Sequence, residues 1–212
     1  MLVILILLII LLFYARALSR AKKRAELLAT TDDLTQMHNR RYFFLAGERE
    51  LYSARRHERP ITVMRLDVDR FKQVNDRWGH AVGDEVLKTI AKIIKASVRS
   101  GDICSRLGGD EFSFLLSETD SIRANLIAER IRCSIAAQVH ISGNDILNVT
   151  VSVGVAVANR EWPTLEELLI LSDKALYQAK ESGRDRVVVF LPDGESAPAV
   201  ADGNSASDIP TR

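Results

Sequence analysis

Two glycines followed at once by two carboxylates, Arg106-Leu-Gly-Gly-Asp-Glu-Phe112, separate the short apolar runs CSRL and FSFLL. So little chain between two strand-like runs fits an antiparallel hairpin, because a parallel pair needs a crossover of about a dozen residues or more. An all-parallel, doubly wound sheet is therefore disfavoured. The glycines free the backbone for a tight turn and for close approach to a ligand. The two carboxylates are hard oxygen donors suited to a divalent cation. The stretch thus suggests a phosphate–metal site, and Asp67 and Asp69, at the end of another apolar run, strengthen the suggestion.

Around the hairpin, helical and extended patterns alternate. Helices are expected over about 40–55, 71–78, 83–98, 122–137 and 164–179, and strands over 61–68, 103–106, 112–117, 147–157 and 186–190. In the helix at 83–98, Val86, Leu87, Ile90, Ile93 and Ile94 recur at helical spacing. The run LNVTVSVGVAV at 147–157 is rich in β-branched residues. This alternation describes one α/β domain with a central sheet. It occupies 31–191, and a Gly, Ser, Ala, Pro and Asp-rich tail at 192–212 is expected to be disordered.

The N-terminus has a different character. MLVILILLIILLFYA is uncharged and almost wholly apolar, and Arg16, Arg20, Lys22, Lys23 and Arg24 follow it. A spanning helix needs roughly 17–25 residues, a length this run reaches only if Ala17 and Leu18 extend it past a snorkelling Arg16. The downstream basic cluster then orients the rest of the chain to the cytoplasm. The expectation is a single-pass transmembrane helix at 1–18 and a juxtamembrane linker helix at 19–30. The 29 basic and 28 acidic residues nearly cancel, so no DNA or RNA polymer is expected as a partner. Cys104 and Cys133 have no metal-ligand spacing and are expected to be free.

Asp67 and Asp110 are the best metal-ligand candidates, with the Val68 carbonyl as a third; Glu111 is a second ligand or a proton acceptor. Any one of these acids alone reads as a turn residue or helix cap; the clustering of glycines and acidic turns reverses that. Lys72, Lys180 and Arg184 could neutralise phosphates, or be ordinary surface charge at helix ends. Asn75 and Asp84 offer the donors and acceptors that a guanine edge needs, or simply cap a loop. A Walker A pattern and a G-x-S-x-G elbow are both absent.

Taken in order, DDLTQMHNRR, RLDVDRFKQVND, GHAVGDEVL, RLGGDEF, NVTVSVGVA and ALYQAKESGRDRV resemble the GGDEF diguanylate cyclases of bacterial cyclic dinucleotide signalling, over about residues 30–190. The resemblance implies a palm-like α/β domain related to class III nucleotide cyclases, its central sheet mainly antiparallel and surrounded by helices. It implies two Mg²⁺ ions (or Mn²⁺) per GTP, held by Asp67, Val68, Asp110 and Glu111, with Asp67, Asp110 and Glu111 as catalytic residues. Asn75 and Asp84 would read guanine, while Phe71, Lys72, Gly108, Gly109, Lys180 and Arg184 would surround the rest of the substrate. Two domains would pair to make cyclic di-GMP and two pyrophosphates. Arg99 and Asp102 match the family's RxxD site for inhibitory product. With the apolar N-terminus, the resemblance implies a bacterial inner-membrane location.

One departure stands out. The family's Gly-Leu after Leu-Thr is here Gln36-Met37. Methionine preserves an apolar role, whereas Gln36 gives up glycine's backbone freedom. The competing reading of the chain is a catalytically silent module that binds GTP or cyclic di-GMP and serves as a membrane-tethered signalling or dimerisation protein.

Overall fold

The computed structural model of the chain describes residues 4, 10–14, 16, 19–20, 30–142, 145–158, 163–190 and 197–198. Strand β2 (Ile61–Val68) lies at the middle of a seven-stranded sheet. The hairpin strands β3 (Ile103–Gly108) and β4 (Glu111–Ser117) lie on one side of it. Strands β7 (Val151–Val157) and β8 (Val187–Phe190) lie on the other. With the two-residue strands β1 (His38–Asn39) and β9 (Ala197–Pro198) at the edges, the order is β1-β3-β4-β2-β7-β8-β9. The pairs β3–β4, β4–β2 and β2–β7 are antiparallel, and β7–β8 is parallel.

Side-chain alternation assigns the two faces. Met64, Leu66 and Val68 of β2 join Phe112, Phe114 and Val153 in one core cluster. Over it pack α2 (Phe71–Trp78), α3 (His80–Ser97) and α4 (Ser121–Ala136), through Val74, Val86, Ile90, Ala128 and Ile131. Ile61 and Val63 face the opposite way, with Leu115 and Ala156, against α1 (Arg40–Arg56) and α5 (Leu165–Glu181). The result is a sheet between two helical layers. A capping box at Thr164 and Glu167 starts α5, satisfying backbone donors that the first turn leaves free.

Most expected elements lie within a few residues of their observed bounds. The strand expected at 147–157 is instead two: β6 (Asp145–Asn148), which pairs with β5 (Val139–Ser142) as a separate hairpin, and β7. Cys104 and Cys133 are free, the first buried and the second exposed.

The chain divides into two compact units, Met1–Thr31 and Asp32–Arg212. In the first, residues 10–14 are helical and exposed. The transmembrane helix expected at 1–18 is corrected: among the described residues, no helix is long and apolar enough to cross a membrane. The uninterrupted apolar run stops before Arg16, short of the roughly 17–25 residues a crossing requires. The membrane partner and the inner-membrane location rested on that helix and are withdrawn with it. Most of 1–18 and of the linker helix at 19–30 lies outside the described residues, as does the tail at 192–212 apart from β9.

Gln36 has φ +54°, in the left-handed region. It turns the chain between Asp32, whose carbonyl accepts from the Gln36 amide at 2.8 Å, and the buried Met37. Lys95 donates to the Gln36 carbonyl at 2.7 Å and holds the turn to α3. Left-handed backbone costs a non-glycine residue about 1–2 kcal/mol. Gln36→Gly is therefore expected to stabilise the fold by about 1 kcal/mol, read as a higher urea midpoint at unchanged slope.

Candidate active site

The β2–β4 register sets the site. Asp67 stands directly across from Glu111, and Arg65 across from Ser113. Asp67 shares the face of β2 occupied by Ile61, Val63 and Arg65, the side on which α5 packs. From the last turn of α5, Lys180 Nζ reaches Asp67 Oδ1 at 2.8 Å. Arg65 Nη2 donates to Glu111 Oε2 at 2.7 Å, and its Nη1 lies 3.3 Å from Asp173 Oδ1 on α5. Two facing carboxylates thus each have a cation on the α5 face of the sheet, one from the helix and one from β2 itself.

Gly108 and Gly109 make the turn, at φ +145° and +55°, and a side chain at either position would be strained. Arg106 braces the turn from below. Its Nε and Nη2 donate to the Gly109 carbonyl at 2.9 and 2.7 Å, and its Nη1 donates to Asp32 Oδ1 at 3.0 Å. The same Asp32 oxygen accepts from the Thr35 amide and hydroxyl. Burial acts to raise the Asp32 carboxyl, but the Thr35 and Arg106 hydrogen bonds win and hold it below its ordinary range.

Asp67 is shifted the other way. Burial pushes its carboxyl above the ordinary range; the Lys180 hydrogen bond pulls it back, and the charges of Asp110 and Glu111 push it up again. The donor set fits a hard cation: the carboxylates of Asp67, Asp110 and Glu111 and the Val68 carbonyl are all oxygen. Among the described residues, no group of three or more His, Cys, Asp or Glu side chains is drawn together as a ready-made metal cage.

Asp69 has a different task from its neighbour. It is buried, and its carboxylate accepts from Ser152 Oγ at 2.7 Å, Thr150 Oγ1 at 2.8 Å and the Asp185 amide at 3.1 Å. It anchors the 183–185 loop, where Arg184 and Asp185 have φ +66° and +47°. Arg132 of α4 holds the same loop through Asp185 Oδ1 at 2.7 Å. Arg184 lines a cavity of about 390 Å³ with Arg70, Gln73 and Trp78, so the structure places it beside α2, whereas Lys180 contacts Asp67 directly.

Phe71 and Lys72 open α2, and Asn75 lies on its next turn. The buried Asn75 Oδ1 has no hydrogen-bond partner and packs over Gly83, beside the exposed Asp84 on α3. Arg99 and Asp102 lie apart from all of these, between α3 and β3. The Arg99 amide donates to Asp102 Oδ2 at 2.9 Å, and both residues line a cavity of about 420 Å³ with Arg123, Leu126 and Arg130 of α4. Sequence reasoning missed Arg65, Arg106, Arg123, Arg130 and Arg132 as members of these assemblies. Only Arg65 and Arg106 had a signal, as charges inside apolar strands.

A carboxylate-bearing antiparallel hairpin beside the central strand of a mixed sheet, between two helical layers, is the frame of the site. Residues 29–186 match the family described as diguanylate cyclase, GGDEF domain, and the chain belongs to that family. It is 42% identical over 167 residues to the probable diguanylate cyclase DgcT of Escherichia coli, a match covering 76% of this chain and 36% of DgcT. It is 37% identical to diguanylate cyclase A of Treponema denticola, covering 76% of this chain and 44% of that protein. The chain thus spans less than half the length of these relatives. The crystal structure of the GGDEF domain of DgcB from Caulobacter crescentus, in complex with c-di-GMP, superposes with a TM-score of 0.73 at 30% identity, covering 76% of this chain and 95% of that one.

The raised Asp67 carboxyl gives a stability prediction. The folded chain holds this proton more tightly than the unfolded chain, whose aspartates titrate near about 3.9. Ionising Asp67 therefore costs stability as pH rises from about 4 through the raised folded value. In metal-free buffer at pH 7, Asp67→Asn is expected to have a urea midpoint equal to or above that of the unaltered chain. The difference should close near pH 3, where both side chains are neutral.

Proposed function

We propose that the chain is a diguanylate cyclase that condenses two GTP molecules into cyclic di-GMP and two pyrophosphates. The observation that carries this reading is the placement of Asp67 across from Glu111, with Asp110 in the adjoining turn and Lys180 on Asp67. Family membership supplies the reaction class.

In this reading Asp67, the Val68 carbonyl and Asp110, with Glu111 beside them, hold Mg²⁺ or Mn²⁺, two ions per GTP. When bound, the ions neutralise the triphosphate and stabilise charge on the attacking and leaving oxygens. The chain's own residues position the substrate. Asn75, with its unpartnered amide oxygen, and Asp84 receive the guanine edge. Phe71 and Lys72, at the start of α2, meet the phosphates, together with Lys180 and Arg184. Gly108 and Gly109 keep the hairpin low enough for close approach, and Glu111 is placed to take up a hydroxyl proton.

One domain holds one GTP, so the reaction needs a homodimer. Each 3′-oxygen forms a bond to the α-phosphorus of the other GTP, each bond to pyrophosphate breaks, and both hydroxyl protons are released. Positioning and charge compensation account for most of such a transfer. Arg99 and Asp102 form a product site at their separate cavity, where arginine forks suit phosphate or guanine and where Arg130 adds a second guanidinium.

The test is product analysis by chromatography with mass detection, on the full chain with GTP and Mg²⁺. Cyclic di-GMP and pyrophosphate in a 1:2 ratio are expected, and Asp110→Ala should lower turnover by roughly a hundredfold or more while preserving the unfolding transition. GTP binding without any dinucleotide product would favour the silent binding module.

A further inference from the structure

Arg65 lies in the middle of the central strand, two residues before Asp67 and on the same face, and its side chain is only 16% exposed. Burying a guanidinium there needs space and partners. The register supplies the space: the residues beside Arg65 across the sheet are Ser113, then Ser105, and on the other side Gly154. The two serines leave room for the guanidinium on the hairpin side, while at Gly154 the α5 backbone at Ser172 and Leu176 packs directly onto the sheet. The partners are Glu111 at 2.7 Å and Asp173 at 3.3 Å, while Arg65 Nε and the Ser105 and Ser113 hydroxyls are buried without partners. The guanidinium thus depends for its compensation on two carboxylates, and one of them belongs to the candidate metal site.

We propose that Arg65 is a built-in counter-cation that competes with the divalent ion for Glu111 and so sets the metal requirement of the site. The inference rests on the metal-site reading above. A carboxylate already accepting a guanidinium hydrogen bond is a poorer ligand, because part of its charge is compensated and that oxygen is occupied. Asp173 shares the guanidinium and weakens its hold on Glu111, so α5 adjusts the competition. Arg65 acts through Glu111 and is a positioning residue.

The experiment measures the Mg²⁺ concentration that gives half of the thermal stabilisation of the full chain in the presence of 3′-deoxy-GTP, which lacks the attacking hydroxyl and is not condensed. Arg65→Met is expected to lower that concentration by roughly two- to fivefold, the range for a partly exposed ion pair. In the Glu111→Gln background the same substitution should have no effect. Asp173→Asn, on the exposed side of α5, should raise the concentration, again only while Glu111 is present. This second cycle carries the test if Arg65→Met does not fold. An unchanged midpoint, or a shift that persists in full without Glu111, overturns the inference. Absence of any Mg²⁺-dependent stabilisation of the unaltered chain would instead remove the metal-site reading itself.

Discussion

Two carboxylates held across from one another on adjacent strands repel unless something positive lies between or beside them. Asp67 and Glu111 are in that position because β2 and β4 pair in a single register. A slip of one residue in either strand would turn that strand's carboxylate to the opposite layer and part the pair. Lys180 and Arg65 supply positive charge from the α5 side. Burial, with a smaller push from the charges of Asp110 and Glu111, still holds the Asp67 carboxyl above its ordinary range. Keeping these carboxylates together in a partly buried place costs local stability. Every other placement around the site serves that arrangement: the hairpin glycines, the Arg106 brace and the Asp69 anchor all fix where charge can be presented.

The bracing also explains why neighbouring residues of one type have different fates. Asp67 and Asp69 are two residues apart on the same strand end, yet only Asp67 has a cation for a partner. Asp69 is spent on hydroxyls and an amide. Those bonds hold the 183–185 loop in an unusual backbone conformation and so fix Arg184. Asp32 has the corresponding task on the hairpin side, where it links the turn at Thr35 to Arg106 and, through it, to Gly109.

Much of this was legible in the sequence. The apolar runs bracketing Gly108 and Gly109, the β-branched β7 and the helical spacing of Val86, Leu87 and Ile90 gave the main elements, because each follows from local periodicity. Asp67, Asp110 and Glu111 stood out because acids at strand ends and turns are informative in combination. What remained hidden depends on register and tertiary packing. That Arg65 faces Glu111 follows from which residue of β4 lies across from it, and a 46-residue separation encodes nothing about that. Arg123 and Arg130 read as ordinary helix charges until α4 is laid beside the 99–102 turn. The apolar composition of the N-terminus suggested a crossing, whereas among the described residues no helix is long and apolar enough to make one.

The central claim is that this site is half of a reaction centre completed by a second copy of the chain. Turnover per chain, followed as cyclic di-GMP formed from GTP and Mg²⁺ over a wide range of chain concentrations, tests it most directly. The account predicts that specific activity climbs with concentration while the chain is mainly monomeric and levels off as dimer saturates. Specific activity independent of concentration, in a chain shown to remain monomeric throughout, would contradict it.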